Sequence, residues 1–448
     1  LVAAFWVSAA QAEVSYSSRA REHTLGNGLK LILLEEHKAP VGVIQVWYRV
    51  GSRHEQLGKT GLSHLLEHLM FKGTDKLGPE EYSRIIQRNG GNENAFTSTD
   101  STVYFATLAS DRLNIEIELE ADRMQNLKFD DEQFIPEHQV VMEERRLRTE
   151  DSPIGALFEL LNAAAYTAHP YGWPIIGWMN DLRQATREDA LAYYKLHYVP
   201  NNAFLIAVGD FSAEKMIADI ERVFGAVPRG DMPPGVRAVE PPQQGERRTV
   251  LRREAQLPFV AIAYHTPNLR HPDAPVLEVI AALLGSGKSS RLHERLVYEK
   301  RIARSAGSDY DYTSADPGTL VVYAQPMPNK PASLLEKDLL AELTRLQKAP
   351  VQERELEKAK SSLEAGFVLA QDSLFYQALL LGKYEIADSW QRIDEYLPRV
   401  RAVTSDDIQR VAQTYFTAEN RTVATLDPLP VPSGKQLPPE QIPDSRMH

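Results

Sequence analysis

Two separate stretches of this sequence recur at one common offset. PVGVIQVWYRVGS, from Pro40, reads like PFVAIAYHTPNLR, from Pro258. TREDALAYYKLHYVPNNAFLIAVGD, from Thr186, reads like TSDDIQRVAQTYFTAENRTVATLDP, from Thr404. Both pairs lie 218 positions apart, which sets Asp189 opposite Asp407 and Asn202 opposite Asn420. Two independent matches at a single spacing point to a duplicated unit rather than to one large domain. At 448 residues the chain also exceeds what one ordinary core organises.

The Pro- and Gly-rich run AVPRGDMPPGVRAVEPPQQGERR, residues 226–248, has little apolar periodicity and reads as a linker. The expected units are therefore residues 13–225 and 249–430, followed by an extended tail over 431–448. Within each half, alternating β-branched runs such as LKLILLEEHKAPVGVIQVWYRVG predict strand pairs. DRLNIEIELEADRMQNL and PASLLEKDLLAELTRLQKA carry apolar residues at helical spacing with charges opposite. Strand pairs beside long helices predict an α+β sandwich in each half, not a Rossmann-like alternation.

The residues that carry chemistry are LSHLLEHLMFKG, 62–73. Residues advance about 100° each around a helix. Leu62, Leu65, Leu66, Leu69 and Met70 then form one apolar stripe, and His64, Glu67 and His68 fall together on the other side. A single histidine there would be an ordinary surface residue; two at i and i+4 return to one face a turn later and can meet one ion. A catalytic zinc site takes three protein ligands and keeps one open position, so a further carboxylate is required. The Glu-dense stretch PEHQVVMEERRLRTEDSP, 136–153, is the best supplier, with Glu137 and Glu144 on one helical face. Read alone, it would be a solvated charged helix.

In combination these motifs resemble the M16 zinc peptidases of the pitrilysin and mitochondrial-processing-peptidase group, with their inverted His-x-x-Glu-His signature. The likeness runs through Met70-Phe71-Lys72-Gly73-Thr74, Gly91 to Thr97 with Asp100 and Thr102, Asp151-Pro153, His169-Pro170-Tyr171-Gly172 and Ser290-Arg291-Leu292. The resemblance implies two homologous α/β sandwich domains related by duplication, of the LuxS/MPP-like metallohydrolase type. It implies one Zn²⁺ per chain, bound by His64, His68 and Glu144, with Glu67 as general base and Glu137 in a supporting role. Asn94 and Ala95 match the edge-strand segment that pairs with the backbone of a peptide substrate. The implied function is a zinc metalloendopeptidase that cleaves short or unfolded peptides within a chamber.

At the 218 offset, Ala282, Gly285 and Ser286 stand opposite His64, Glu67 and His68, so the second half carries no metal site. Its LLGSGKSSRL, 283–292, is not a nucleotide loop, because Ala282 occupies the position where a Walker A motif needs glycine. Active relatives carry an Arg and, seven residues later, a Tyr after the Ser-Arg-Leu; this chain has Tyr298 and Ser305 there. That departure implies a heterodimer, in which a homologous M16 subunit lacking the histidine motif supplies the Arg/Tyr pair, with a homodimer in that partner's absence. A non-catalytic structural or assembly subunit of the same fold is the competing reading, and loss of the metal motif would mark it.

A net charge of -11 argues against nucleic acid as the main ligand, and no apolar run is long enough to span a bilayer. LVAAFWVSAAQA ends in the small-x-small Ala10-Gln11-Ala12, which reads as the remnant of a signal peptide over 1–12 and predicts a periplasmic protein. The absence of Cys is compatible with an oxidising compartment.

Overall fold

The computed structural model describes residues 15–432 and Gly434; the expected signal remnant and nearly all of the expected tail lie outside them. The first half contributes β1 (Ala20–Thr24), β2 (Lys30–Glu35), β3 (Val41–Tyr48), β4 (Asn92–Thr97), β5 (Thr102–Ala109) and β6 (Ala203–Gly209). Its helices include α1 (Leu62–Leu69), α2 (Leu113–Asn126), α3 (Asp131–Arg145), α4 (Pro153–Ala165), α5 (Arg187–His197) and α6 (Ala213–Phe224). The second half contributes β7 (Arg247–Glu254), β8 (Phe259–Thr266), β9 (Ala303–Tyr310), β10 (Gly318–Pro326) and β11 (Arg421–Leu429). Its helices include α7 (Ala274–Gly285), α8 (Ala332–Lys348), α9 (Glu353–Ala370), α10 (Leu374–Ala387) and α11 (Ser405–Tyr415). The expected linker thus ends two residues early, because Arg247 and Arg248 already pair with β11.

Among the described residues the first sheet runs β1-β2-β6-β3-β5-β4 and the second β7-β11-β8-β10-β9. The two orders coincide once β1 is set aside. β2 pairs with β6 in parallel, as β7 does with β11, and the remaining pairs in both sheets are antiparallel. The repeat seen in sequence is exact in space: β3 and β8 begin and end 218 residues apart, and so do α5 and α11. Both helices open with the same capping box, Thr186 with Asp189 and Thr404 with Asp407. Asn202 donates to the His197 carbonyl, and Asn420 repeats this with Tyr415.

Each sheet is covered on both faces, which explains strands apolar on both sides. Leu31, Leu33, Ile44 and Val46 point into the layer of α1 and α2. Ile32, Leu34, Val43 and Trp47 point the opposite way and meet Ala378, Leu381 and Tyr384 of α10. That helix comes from the second half of the sequence. Conversely α4, from the first half, lays Ile154, Leu157 and Leu161 on Phe259, Ala261 and Ala424 of the second sheet. The halves have exchanged equivalent helices. Each buried Leu-sized side chain in such an interface contributes about 1.5–3 kcal/mol.

A charged clamp adds to this exchange. Arg53 reaches both Asp100, at 3.1 Å, and Asp316 of the β9–β10 connection. Tyr171 donates to Asp100 at 2.7 Å, and the Ala315 N–H donates to the same carboxylate. No helix among the described residues is long and apolar enough to cross a membrane.

Candidate metal centre

The centre is built on α1. Gly61 precedes it with φ 90°, a left-handed conformation that favours glycine, and a Cβ there would lie 2.6 Å from the Ile176 carbonyl oxygen. The Glu55 carboxylate accepts from the Gly61 and Ser63 N–H groups, both at 2.7 Å, and so closes the helix start. Burial pushes Glu55 up to about 7, with these hydrogen bonds pulling the other way. Leu65, Leu66 and Leu69 are fully buried beneath the sheet. The opposite side of α1 faces α3 rather than solvent, so His64 is only 2% exposed and Glu67 8%.

His64 and His68 stack edge to face with ring centroids 4.8 Å apart. Glu144 reaches them from α3: its Oε2 lies 3.6 Å from His64 Nε2 and 3.4 Å from His68 Nε2. The three ligand atoms all lie within 4.8 Å of one another. Tetrahedral zinc with nitrogen and oxygen ligands near 2.0 Å sets neighbouring ligands about 3.3 Å apart. Two imidazoles and a carboxylate at these separations suit that ion, and the donor set fits.

Around the triad, charged neighbours hold His68 and Glu144 in place. His68 Nδ1 hydrogen-bonds Glu137 Oε1 at 2.8 Å, and Glu137 Oε2 accepts from Lys72 Nζ at 2.6 Å. Glu144 Oε1 takes an Arg148 guanidinium at 2.7 Å. Burial opposes charge on Glu144, but hydrogen bonding to His68 and the His64 and Arg148 charges outweigh it and hold the carboxyl near 2. Burial likewise opposes charge on His68, yet the Glu137 and Glu144 carboxylates raise it to about 9. These carboxylates favour positive charge at this spot, whether as a proton on the ring or as a bound cation.

Glu67 stands one position before His68 and does not join the triad. Its Oε2 accepts from the Thr97 hydroxyl of β4. Burial pushes it up to about 7, with the Thr97 hydrogen bond and His68 pulling it down. A carboxyl poised there exchanges protons readily near neutral pH. β4 is an edge of the first sheet, pairing with β5 alone among the described residues. Asn94 and Ala95 sit on it opposite Phe105 and Tyr104. The Ala95 N–H turns outward and is held by Asn94 Oδ1 at 2.8 Å, a bond that an incoming backbone carbonyl can replace.

The structure brings together His64, His68, Glu144, Glu137 and Glu67, and sets Asn94 and Ala95 on the neighbouring edge. Sequence reasoning missed Glu55, Thr97, Lys72 and Arg148 as partners of this site. Lys72 and Thr97 belong to motifs singled out above, but nothing in their spacing revealed whom they touch. The same holds for Asp100 and His169-Pro170-Tyr171-Gly172, which turn out to surround the clamp between the halves; His169 Nε2 lies 3.2 Å from Asp316.

In the second half, Ala282 and Gly285 lie on α7, which packs so close to β9 that a Cβ on Gly285 would fall 2.2 Å from the Ser308 nitrogen. A glutamate there has no room. Tyr298 is exposed, and Ser305 lies in β9. Tyr310 and Tyr312 are engaged inward, donating to the Pro267 carbonyl and pairing with the Tyr384 hydroxyl.

Residues 30–178 match the family model described as insulinase (peptidase family M16), and residues 184–363 match the one described as the peptidase M16 inactive domain. The chain is 36% identical to the zinc protease PqqE of Helicobacter pylori over 418 residues, covering 92% of this chain and 94% of that one. It is 28% identical to an uncharacterized zinc protease, YmxG, of Bacillus subtilis, covering 91% of this chain and 98% of the other. The crystal structure of a protease from Helicobacter pylori superposes with a TM-score of 0.89 at 36% identity, over 92% of this chain and 100% of that one.

Proposed function

The chain belongs to peptidase family M16, and on that footing we propose that it is a zinc-dependent endopeptidase with its ion held by His64, His68 and Glu144. The observation that carries this reading is the convergence of three ligand atoms from two helices on one point, with Glu67 beside them. When bound, zinc lowers the pKa of a coordinated water to about 7 and polarises the scissile carbonyl.

The chain's own residues supply the rest. Glu67 receives the proton released by the attacking water and passes it to the leaving amine nitrogen. Its near-neutral pKa suits both transfers, and Thr97 holds the carboxylate in place. Glu137 orients the His68 ring through Nδ1, fixing the tautomer that leaves Nε2 free to bind metal. Asn94 and Ala95 hold a peptide by its main chain, as an added strand on β4, with weak demands on sequence.

Three finer elements of the proposal rest on sequence. The missing Arg/Tyr pair at Tyr298 and Ser305 supports a homologous partner subunit that completes the cleft and closes a chamber for short or unfolded peptides. The segment ending at Ala12 supports export to the periplasm, and amino-terminal sequencing of the mature protein tests it: a start at Glu13 is expected, and retention of 1–12 contradicts it. One zinc per chain is supported by the single triad found among the described residues.

Glu67→Gln tests the catalytic assignment. The variant keeps its zinc, because no ligand is touched, and loses at least about 10²-fold in kcat on an unfolded peptide. Normal turnover by this variant would remove Glu67 from the mechanism.

A further inference from the structure

The segment just after Glu144 is held by elements that pack with the second half. α3 ends at Arg145, and Arg146–Glu150 widen into a π-helical turn. The Asp151 N–H closes it by donating to the Arg146 carbonyl at 2.6 Å. Such turns are rare and recur at functional sites. Three contacts brace this one. Arg145 clasps Glu159 of α4 at 2.8 and 3.0 Å. The Arg148 carbonyl lies against the start of α4, where a Cβ on Gly155 would fall 2.2 Å from its oxygen. Arg253 of β7, from the second half, donates to the Thr149 carbonyl at 3.0 Å. The Asp151–Pro153 motif joins turn to helix: Ser152 caps α4 through the Gly155 N–H, and Pro153 takes its first position.

The course of β7 explains why Arg253 stands there. Side chains alternate along a strand, so Arg247, Leu251 and Arg253 share one face. Arg247 donates to the Ala164 and Ala165 carbonyls at the far end of α4. Leu251 packs against the apolar cluster that α4 forms with the second sheet. Arg253 reaches past the start of the same helix to the turn. One strand of the second half thus grips α4 at its end and the π turn before its beginning.

The turn bears on the metal centre through Arg148. This guanidinium meets Glu144 Oε1 at 2.7 Å, while Oε2 of the same carboxylate faces His64 and His68. With Oε1 engaged, Glu144 has one oxygen to offer an ion.

We propose that Arg253 is a positioning residue for the metal centre: through the 146–150 turn it sets Arg148 against Glu144, so that this ligand presents Oε2 alone. The proposal rests on the zinc reading of the triad and gives the second half, which has no triad of its own among the described residues, a part in shaping it.

The test reads metal geometry rather than turnover. The full chain, stripped with a chelator, is titrated with Co²⁺, whose visible bands are stronger in four-coordinate than in five-coordinate sites. Zinc affinity is measured beside it by competition with a chromophoric chelator. Arg148→Met frees Oε1, and the cobalt bands weaken as the carboxylate turns to give both oxygens. Arg253→Met weakens the bands in the same direction and lowers zinc affinity about tenfold. Arg253→Lys keeps a donor for the Thr149 carbonyl and recovers both. A purely structural Arg253 would lower the urea midpoint of Arg253→Met and leave bands and affinity in place, which overturns the proposal. So does a change that Arg253→Lys fails to recover. A wild-type chain that takes up neither cobalt nor zinc would instead overturn the zinc reading, and the proposal with it.

Discussion

Glu137 makes no contact with the point where the three ligand atoms converge, yet it decides how His68 presents itself. It accepts from Nδ1 on one side and from Lys72 on the other, so the ring can neither flip nor swing freely. Glu137→Gln keeps the shape but loses the charge. We expect about 10- to 100-fold weaker zinc binding, read by competition with a chromophoric chelator; unchanged affinity would make Glu137 an ordinary surface ion pair. At this scale legibility in the sequence follows contact distance along the chain. His64, Glu67 and His68 were readable because one helical turn fixes their relation. Glu144 sits 76 residues beyond His68 on another helix, and only the family resemblance named it. Glu55, Thr97 and Lys72 were silent because their roles exist only after α1, β4 and α3 have packed.

Helices and strands were more visible than their neighbours. The 218-residue offset reported β3 with β8 and α5 with α11 to the residue, since caps and β-branched alternation are local properties. What could not be read was the exchange of α4 and α10, because an apolar helix does not say which sheet it will cover. Gly382 on α10 marks that contact: a Cβ there would lie 2.1 Å from the Trp47 indole. Gly382→Ala should therefore force α10 off the first sheet and destabilise the chain by about 1–3 kcal/mol, seen as an earlier urea midpoint. The helix propensity gained by alanine works the other way by up to about 1 kcal/mol, so an unchanged or later midpoint would show that the helix can slide at little cost.

Across the whole molecule, the triad proposed to hold zinc lies in the first half, and the second half has no counterpart to it among the described residues. Its own equivalent site is closed by the close approach of Gly285 to Ser308, and Tyr310 and Tyr312 turn inward. A cleft with one complete metal centre and no Arg/Tyr pair accounts for the proposed partner subunit. Co-expression with a homologue that lacks the histidine motif should give peptide cleavage well above that of either chain alone; full activity of this chain by itself would contradict the divided site. All of this depends on one ion joining α1 to α3. Its most direct test is elemental analysis of zinc per chain after dialysis, on the wild type and on Glu144→Gln. The account predicts close to one zinc in the wild type and a large loss in the variant. A wild type without zinc, or a variant that keeps all of it, would contradict the account.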